Sequence, residues 1–92
     1  MLRIEFTARI KRDIKRMSKR GKDIEKLESV LSVLASGKKL EAKFKDHQLK
    51  GDLKDLRECH IEPDWLLVYK IIKEQLLLIA IGTGTHDEEL NK

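Results

Sequence analysis

Three histidines and one aspartate are the side chains best suited to acid–base chemistry in this sequence. His47, His60 and His86 lie in the second half of the chain, and Asp64 follows His60 by four positions. An imidazole with a pKa of about 6.5 can give or take a proton near neutral pH. A predicted loop, a hairpin and the C-terminal turn could bring these groups into one cleft. These four side chains, His47, His60, Asp64 and His86, are therefore candidates for one catalytic set, although an exposed histidine more often has no catalytic role.

RNA is a substrate that such a set could cleave without a metal, because its 2′-OH is an internal nucleophile. A base would remove the 2′-OH proton, an acid would protonate the leaving 5′ oxygen, and a cation would neutralise the phosphate. Arg57 could bind the phosphate, although pairing with Glu58 or Asp55 is an equal alternative. Trp65 could stack on a base, although packing in the core is the more common role of a lone tryptophan beside a turn.

A zinc site is the rival interpretation of the same region. Its ligands would be Cys59 and the three histidines. Cys59 and His60 are adjacent and would point to opposite faces of a strand, and the sequence has no Cys-x-x-Cys or His-x-x-x-His spacing. We therefore expect no metal and no other cofactor, and we expect Cys59 to be an ordinary thiol rather than a nucleophile.

Length and charge describe the protein that must hold these groups. The chain has 92 residues and one cysteine, so we expect a single domain over residues 1–92 without an intramolecular disulfide. Its net charge is +4, with +6 in residues 1–26 and −4 in residues 51–92. A basic segment favours RNA or DNA as a partner but selects no activity. No apolar run is long enough for a signal peptide or a membrane span, so we predict a cytoplasmic protein that contacts no membrane.

Changes in hydrophobic periodicity predict the order of the elements. Residues 2–6 alternate between apolar and polar, as in a strand with one buried face. Residues 8–20 and 24–36 carry apolar residues at helical spacing, and Gly21 and Gly37 end these two helices. Apolar runs predict three further strands, at 53–61, 65–69 and 76–81, with a loop over residues 38–52 and a Gly/Thr turn over residues 82–85.

This order predicts an α+β domain. It consists of an N-terminal strand, a two-helix hairpin and a three-stranded antiparallel meander. The two helices would pack on one face of the resulting four-stranded sheet, because each helix has a single apolar stripe to bury.

The second half of the chain resembles a known toxin family. The segments that carry the resemblance are FKDHQLKG (residues 44–51), LRECHIEPDWLLVY (residues 56–69) and TGTH (residues 83–86). Together with the order of the elements, they resemble the YafQ-like branch of the RelE/ParE superfamily of bacterial type II toxins. The resemblance spans essentially the whole chain, and it implies a RelE-like fold.

The resemblance also implies a function. Such toxins are small, metal-independent endoribonucleases that cut mRNA in the ribosomal decoding site, and a small acidic antitoxin of the DinJ or RelB type keeps them inactive. It implies catalytic roles for His47, His60, Asp64 and His86, with Trp65 beside the site. His86 or His47 would be the acid, and His60 with Asp64 would form the basic side. The basic first helix would then meet ribosomal RNA.

Two positions depart from the family pattern. The family usually has an arginine four residues before the last histidine and an aromatic residue four residues after it, and these positions are Gly82 and Leu90 here. Because that arginine would neutralise the scissile phosphate, we expect Arg57 or Lys50 to replace it, or the activity to be weak. The alternative functions are a non-catalytic or weakened toxin that inhibits a protein such as DNA gyrase, and a plain RNA-binding domain.

Overall fold

Two helices pack against a mixed five-stranded sheet in the computed structural model, which describes residues 1–85. In chain order the elements are β1 (Arg3–Phe6), α1 (Ala8–Lys19), α2 (Ile24–Ala35), β2 (His47–Gln48), β3 (Arg57–Glu62), β4 (Trp65–Ile72) and β5 (Leu77–Thr85). The strand order across the sheet is β1-β5-β4-β3-β2, with β1 parallel to β5 and the other neighbours antiparallel. The predicted α+β succession of strand, two helices and meander is therefore confirmed. Within residues 1–85 no helix is long and apolar enough to cross a membrane.

The sheet has one strand more than the sequence pattern predicts. The additional strand, β2, lies within the segment 38–52 that the pattern assigns to a loop. Its two residues pair with β3, His47 opposite Glu58 and Gln48 opposite Arg57. A two-residue strand is too short to show alternation, so periodicity could not reveal it.

Two strand boundaries also differ from the prediction. The short 3-10 helix Gly51–Leu53 precedes β3, and Gly51 has a φ of 66°, so the chain turns where the pattern indicates the start of a strand. The predicted turn over residues 82–85 is wrong, because these residues continue β5 and pair with β4 from Val68 to Trp65. Glycine and threonine are common in turns, but pairing with a buried neighbouring strand overrides that preference.

The start of α1 is fixed against β5. Thr7 Oγ1 accepts a hydrogen bond from the backbone N–H of Ile10 at 3.0 Å, and the same hydroxyl donates to the carbonyl oxygen of Ile81 at 2.8 Å. The Asp23 carboxylate caps α2 by accepting from the N–H of Glu25 at 3.0 Å.

The two faces of the sheet are covered unequally. On the helix side, Cys59 and Ile61 of β3 join Trp65 and other residues of β4 in the main core. The other face, which we call the open face, holds only a small apolar cluster: Leu66 and Val68, flanked by Leu49, Leu56 and Ile81. Glu58 and His60 alternate with Cys59 along β3, so they lie on the open face.

Candidate active site

His47 and His60 lie side by side on the open face. Their ring centroids are 6.5 Å apart, with an angle of 39° between the ring planes. Each ring is oriented through Nδ1, which is 2.7 Å from the Lys45 carbonyl oxygen in His47 and 3.1 Å from the Pro63 carbonyl oxygen in His60. Because a carbonyl oxygen can only accept, each Nδ1 carries a hydrogen, and Nε2 is the ring nitrogen left for other contacts.

Contacts on the helix side of the sheet hold the segment that precedes His47. The Asp46 carboxylate accepts hydrogen bonds from the Tyr69 hydroxyl and, at 3.3 Å, from Arg57 Nε. Lys45 has a φ of 48°, a left-handed conformation that typically costs about 1–3 kcal/mol for a residue with a side chain. The Asp46 contacts therefore stabilise a strained backbone that delivers His47 to its place on β2.

Glu58 completes the group, although the sequence pattern did not single it out. Its Oε1 atom lies 3.5 Å from His47 Nε2. The residue is 7% exposed, and within residues 1–85 no donor forms a hydrogen bond with Oε2. A buried carboxylate oxygen without a donor is costly, and such groups concentrate at functional sites. The available signal was the spacing of Glu58 and His60, two positions apart on one strand, which places both on the same face.

Asp64 is placed differently from the histidines. It lies in the β3–β4 turn, is exposed, and pairs with Lys22 at 3.6 Å. The neighbouring Glu62 binds Lys22 at 3.0 Å and Lys26 at 2.8 Å. Hydrogen bonds from Lys26 and Lys22 lower the pKa of Glu62, and the bond to Glu62 raises the pKa of each lysine. Within residues 1–85 the Asp64 carboxylate thus belongs to an ion-pair cluster at the base of the two helices.

Comparison with known proteins identifies the family. A model of the family described as "Bacterial toxin of type II toxin-antitoxin system, YafQ" matches residues 2–91. The chain belongs to the YafQ toxin family. It is 40% identical to the mRNA interferase toxin YafQ of Escherichia coli K12 over 84 residues, which are 90% of this chain and 89% of that relative.

Solved structures of YafQ-like toxins share the fold over almost the whole chain. A metal-bound toxin from Helicobacter pylori is 46% identical and superimposes with a TM-score of 0.90, over 98% of this chain and 99% of that one. A DinJ–YafQ complex from E. coli contains a chain that is 36% identical, with a TM-score of 0.87 and 100% coverage of both chains. These matches agree with the helix-on-sheet architecture described above.

The YafQ family usually has an arginine where this chain has Gly82, and that arginine would neutralise the scissile phosphate. Arg57 does not take its place. Its side chain lies on the helix side of the sheet, where Nε contacts Asp46 and the Tyr69 hydroxyl, each at 3.3 Å. Burial disfavours its charge, but the hydrogen bonds to Tyr69 and Asp46 outweigh that effect and raise the pKa of Arg57. The sheet separates this guanidinium from His47, so the substrate-binding role predicted for Arg57 is corrected to a structural one.

Trp65 is a core residue in this YafQ-family chain. It has no exposed surface, and its indole N–H donates to Thr83 Oγ1 at 2.8 Å. The same Thr83 hydroxyl donates to the Leu66 carbonyl oxygen at 2.6 Å. A base could not stack on a buried ring, so the predicted substrate contact is withdrawn in favour of core packing, the interpretation that composition favoured.

The other residues singled out from the sequence are Lys50, His86 and Leu90. Lys50 is exposed and lies just beyond β2, immediately before the 3-10 helix Gly51–Leu53. His86 and Leu90 lie outside the described residues. β5 ends with Thr85 paired to Trp65, so the strand brings the chain to the β3–β4 turn immediately before His86.

The residues of the rival zinc interpretation are divided between the two faces of the sheet. Cys59 is buried in the helix-side core, and burial raises the pKa of its thiol to about 12. His47 and His60 are on the open face, across the sheet from it. In the part of the chain that the structure describes, no three histidine, cysteine or acidic side chains are grouped as metal ligands. A thiol of such high pKa is also a poor nucleophile at neutral pH.

Proposed function

We propose that this protein is an mRNA interferase, an endoribonuclease that cleaves mRNA on the ribosome through acid–base groups on the open face. Two observations support the proposal. The chain belongs to a family of type II toxins with relatives named mRNA interferases. On the open face a buried carboxylate faces one imidazole, and a second imidazole lies beside the first. The contact between Glu58 and His47 carries the proposal most directly, because the fold alone does not require it.

The two histidines and Glu58 divide the proton transfers, and His47 rather than His60 is on the basic side because Glu58 faces His47 Nε2. On the basic side, His47 Nε2 and Glu58 share the proton that leaves the 2′-OH of the RNA. The 2′ oxygen then attacks the phosphorus and forms a 2′,3′-cyclic phosphate, while the bond to the 5′ oxygen breaks. His60, or His86 beyond β5, gives a proton to that 5′ oxygen and leaves a 5′-OH on the second product. Asp64 acts at the rim of the site, through Lys22 and the β3–β4 turn.

The basic face of α1 is proposed to dock on ribosomal RNA in the cytoplasm. The exposed cations of this helix are Lys11, Arg12, Lys15 and Lys19. They follow the exposed side of α1, opposite the stripe that buries Ile10 and Met17. Polyphosphate binding by such a face releases counterions and weakens as salt concentration rises. A chain of this size has little room for elements that position mRNA, so the ribosome would hold the mRNA in place for cleavage.

The proposed protein partner is a DinJ-like acidic antitoxin, as in the E. coli DinJ–YafQ complex. An open groove of about 830 Å³ runs between α2 and the edge of β3 and includes His60 and Asp64 in its lining. Its floor is apolar: Val30, Val33, Leu40, Phe44 and Ile61. Four lysines line its rim, Lys26, Lys38, Lys39 and Lys43, together with the carboxylates of Glu41, Glu62 and Asp64. An amphipathic acidic segment would bury its apolar side here and place its carboxylates among the lysines, covering the site.

The experiment that tests the proposed function uses mRNA on programmed ribosomes and the same mRNA without ribosomes. We expect cleavage only in the first sample, with a cyclic phosphate on one product and a 5′-OH on the other. A single 2′-deoxy nucleotide at the cut position should block the reaction, because it removes the nucleophile. Cleavage through the deoxy position would overturn the mechanism. Intact mRNA, combined with inhibition of gyrase by the pure protein, would favour the non-catalytic alternative.

A further inference from the structure

The open face needs a cation for the phosphate of the RNA, and the proposed function does not yet contain one. The following inference rests on that proposed function. Arg57 lies across the sheet, and Lys22 is held by Glu62 and Asp64 at the base of the helices. Two arginines of α1 reach the β5 side of the sheet. Arg16 Nη2 donates to the Thr83 carbonyl oxygen at 3.4 Å and Arg16 Nη1 to Asp13 at 2.9 Å, whereas Arg9 lies against Gly82.

The position of Arg9 follows from where β1 ends. The last β1 residue, Phe6, pairs with Ala80, so within residues 1–85 β5 has no strand neighbour on that side from Ile81 onward. Helix α1 covers this edge of β5. The backbone N–H of Thr83, which would otherwise point to a strand, donates to Asp13 Oδ2 at 3.1 Å.

Gly82 leaves room for the Arg9 side chain at this edge. A Cβ atom built on Gly82 would lie 3.3 Å from Arg9 Nε and 3.5 Å from Arg9 Cζ. The guanidinium therefore lies directly against the strand, in the space that any side chain at position 82 would enter. Gly82 is opposite Val68, which is opposite Glu58, so Gly82 and Glu58 are two strand spacings apart, about 10 Å.

A buried carboxylate holds Arg9 in this place. Asp13 is 5% exposed and lies 3.6 Å from Arg9 Nε and 2.9 Å from Arg16 Nη1. The Arg9 side chain is 41% exposed, so part of its fork of N–H donors faces solvent. A cation held in advance by a buried partner is the arrangement that stabilises a phosphate most effectively.

We propose that Arg9 is the phosphate-binding cation of the site. Its guanidinium contacts the non-bridging oxygens of an RNA phosphodiester that lies across the open face between β5 and Glu58. Asp13 is the positioning residue that orients Arg9, and Gly82 keeps the space between the guanidinium and the strand free. The proposal assigns the role to the helix residue that the fold brings to β5, rather than to Arg57 or Lys50.

The first test compares Arg9→Gln with Arg3→Gln, a matched charge removal at an exposed β1 residue that pairs with Glu5. Two quantities are measured for each: cleavage of ribosome-bound mRNA, and affinity for a 2′-O-methyl RNA oligonucleotide, which binds but cannot be cut. Arg9→Gln should lower the cleavage rate about a hundredfold and reduce the salt slope of binding by about 1. Arg3→Gln should match the wild type in both. Wild-type values for Arg9→Gln would overturn the proposal.

The second test moves the cation from the helix to the strand. Arg9→Ala should lose cleavage and binding, and the double variant Arg9→Ala with Gly82→Arg should regain both, because the new side chain enters the vacated space. No recovery, with the circular dichroism and melting temperature unchanged, would contradict the proposed position. If the wild type binds the oligonucleotide without cutting mRNA, the proposed function fails and the binding data alone decide the role of Arg9. If the wild type does neither, both fail.

Discussion

His47 Nε2 and Glu58 Oε1 face each other at 3.5 Å across the β2–β3 pair. The Nδ1 atom of the same imidazole donates to the Lys45 carbonyl oxygen. The imidazole is thus fixed at one nitrogen and faces a carboxylate at the other. In the proposed mechanism this arrangement would let a proton pass between RNA, imidazole and carboxylate without a change in ring orientation. The two-residue strand β2 is the element that holds the imidazole beside Glu58.

Removal of Glu62 should change the stability of the protein in a pH-dependent way. Hydrogen bonds from Lys26 and Lys22 lower its pKa below the usual 4.5, so its stabilising effect is complete above that value and is lost as the pH falls through the folded-state pKa. We expect Glu62→Gln to reduce the free energy of unfolding by about 1 kcal/mol at pH 7, and the difference to shrink as the pH falls below 4.5. Urea denaturation at pH 7, 5 and 3 measures this. A difference as large at pH 3 as at pH 7 would point to packing rather than charge.

Arg57→Gln should act on the fold first. The substitution removes the cation from the half-buried Asp46 carboxylate, so we expect the free energy of unfolding to fall by about 1–3 kcal/mol. Cleavage should also fall, because the strained turn at Lys45 loses part of its anchor and His47 is held less firmly. Denaturation and cleavage are compared with those of Arg3→Gln. An Arg57→Gln protein with unchanged stability but weakened RNA binding would restore the substrate-binding role.

Trp65→Phe tests the core assignment of the tryptophan. The change removes the donor to Thr83 Oγ1 and leaves a gap in the fully buried space beside β5. We expect the free energy of unfolding to fall by about 1–3 kcal/mol, and the melting temperature to fall with it. An unchanged melting temperature with reduced affinity for RNA would instead support base stacking.

Reversal of charge at the rim of the groove should weaken the antitoxin complex. Lys38→Glu with Lys39→Glu places two negative charges beside the carboxylates of the proposed acidic segment. We expect the affinity of the cognate antitoxin to fall about tenfold or more, mainly because like charges repel at this rim. Titration calorimetry measures the effect, with the double variant Lys54→Glu and Lys73→Glu as a control of equal charge. Equal affinities for the two double variants would remove the groove as the docking surface.

Periodicity predicted the elements that have a long buried face. The stripe through Ile10 and Met17 on α1 and the apolar run from Trp65 onward on β4 each reflect burial against one core, so their type and order could be read directly. β2 and the last residues of β5 could not be predicted in this way. Their strand conformation comes from hydrogen bonds to β3 and β4, which are distant in sequence.

The candidate site could likewise be predicted only in part, because several of its contacts join residues that are distant in sequence. Residue chemistry drew attention to His47 and His60, and the fold brings their rings together. The sequence pattern did not single out Glu58, because its burial depends on the pairing of β3 with β2. The sequence left a phosphate-binding and an ion-pairing role open for Arg57, because one residue along a strand changes the face and its face was not known. Arg9 is far from the histidines in sequence, and its approach to Gly82 depends on the point where β1 ends.

The cleavage rate of ribosome-bound mRNA by Glu58→Gln tests the central claim most directly, because the amide keeps the shape of the side chain and removes its charge. Glu74→Gln, at an exposed carboxylate in the short 3-10 helix between β4 and β5, is the matched control. We predict a loss of about 10²–10⁴-fold for Glu58→Gln, with its free energy of unfolding unchanged or higher, and a wild-type rate for Glu74→Gln. A Glu58→Gln protein that cleaves at the wild-type rate would contradict this account.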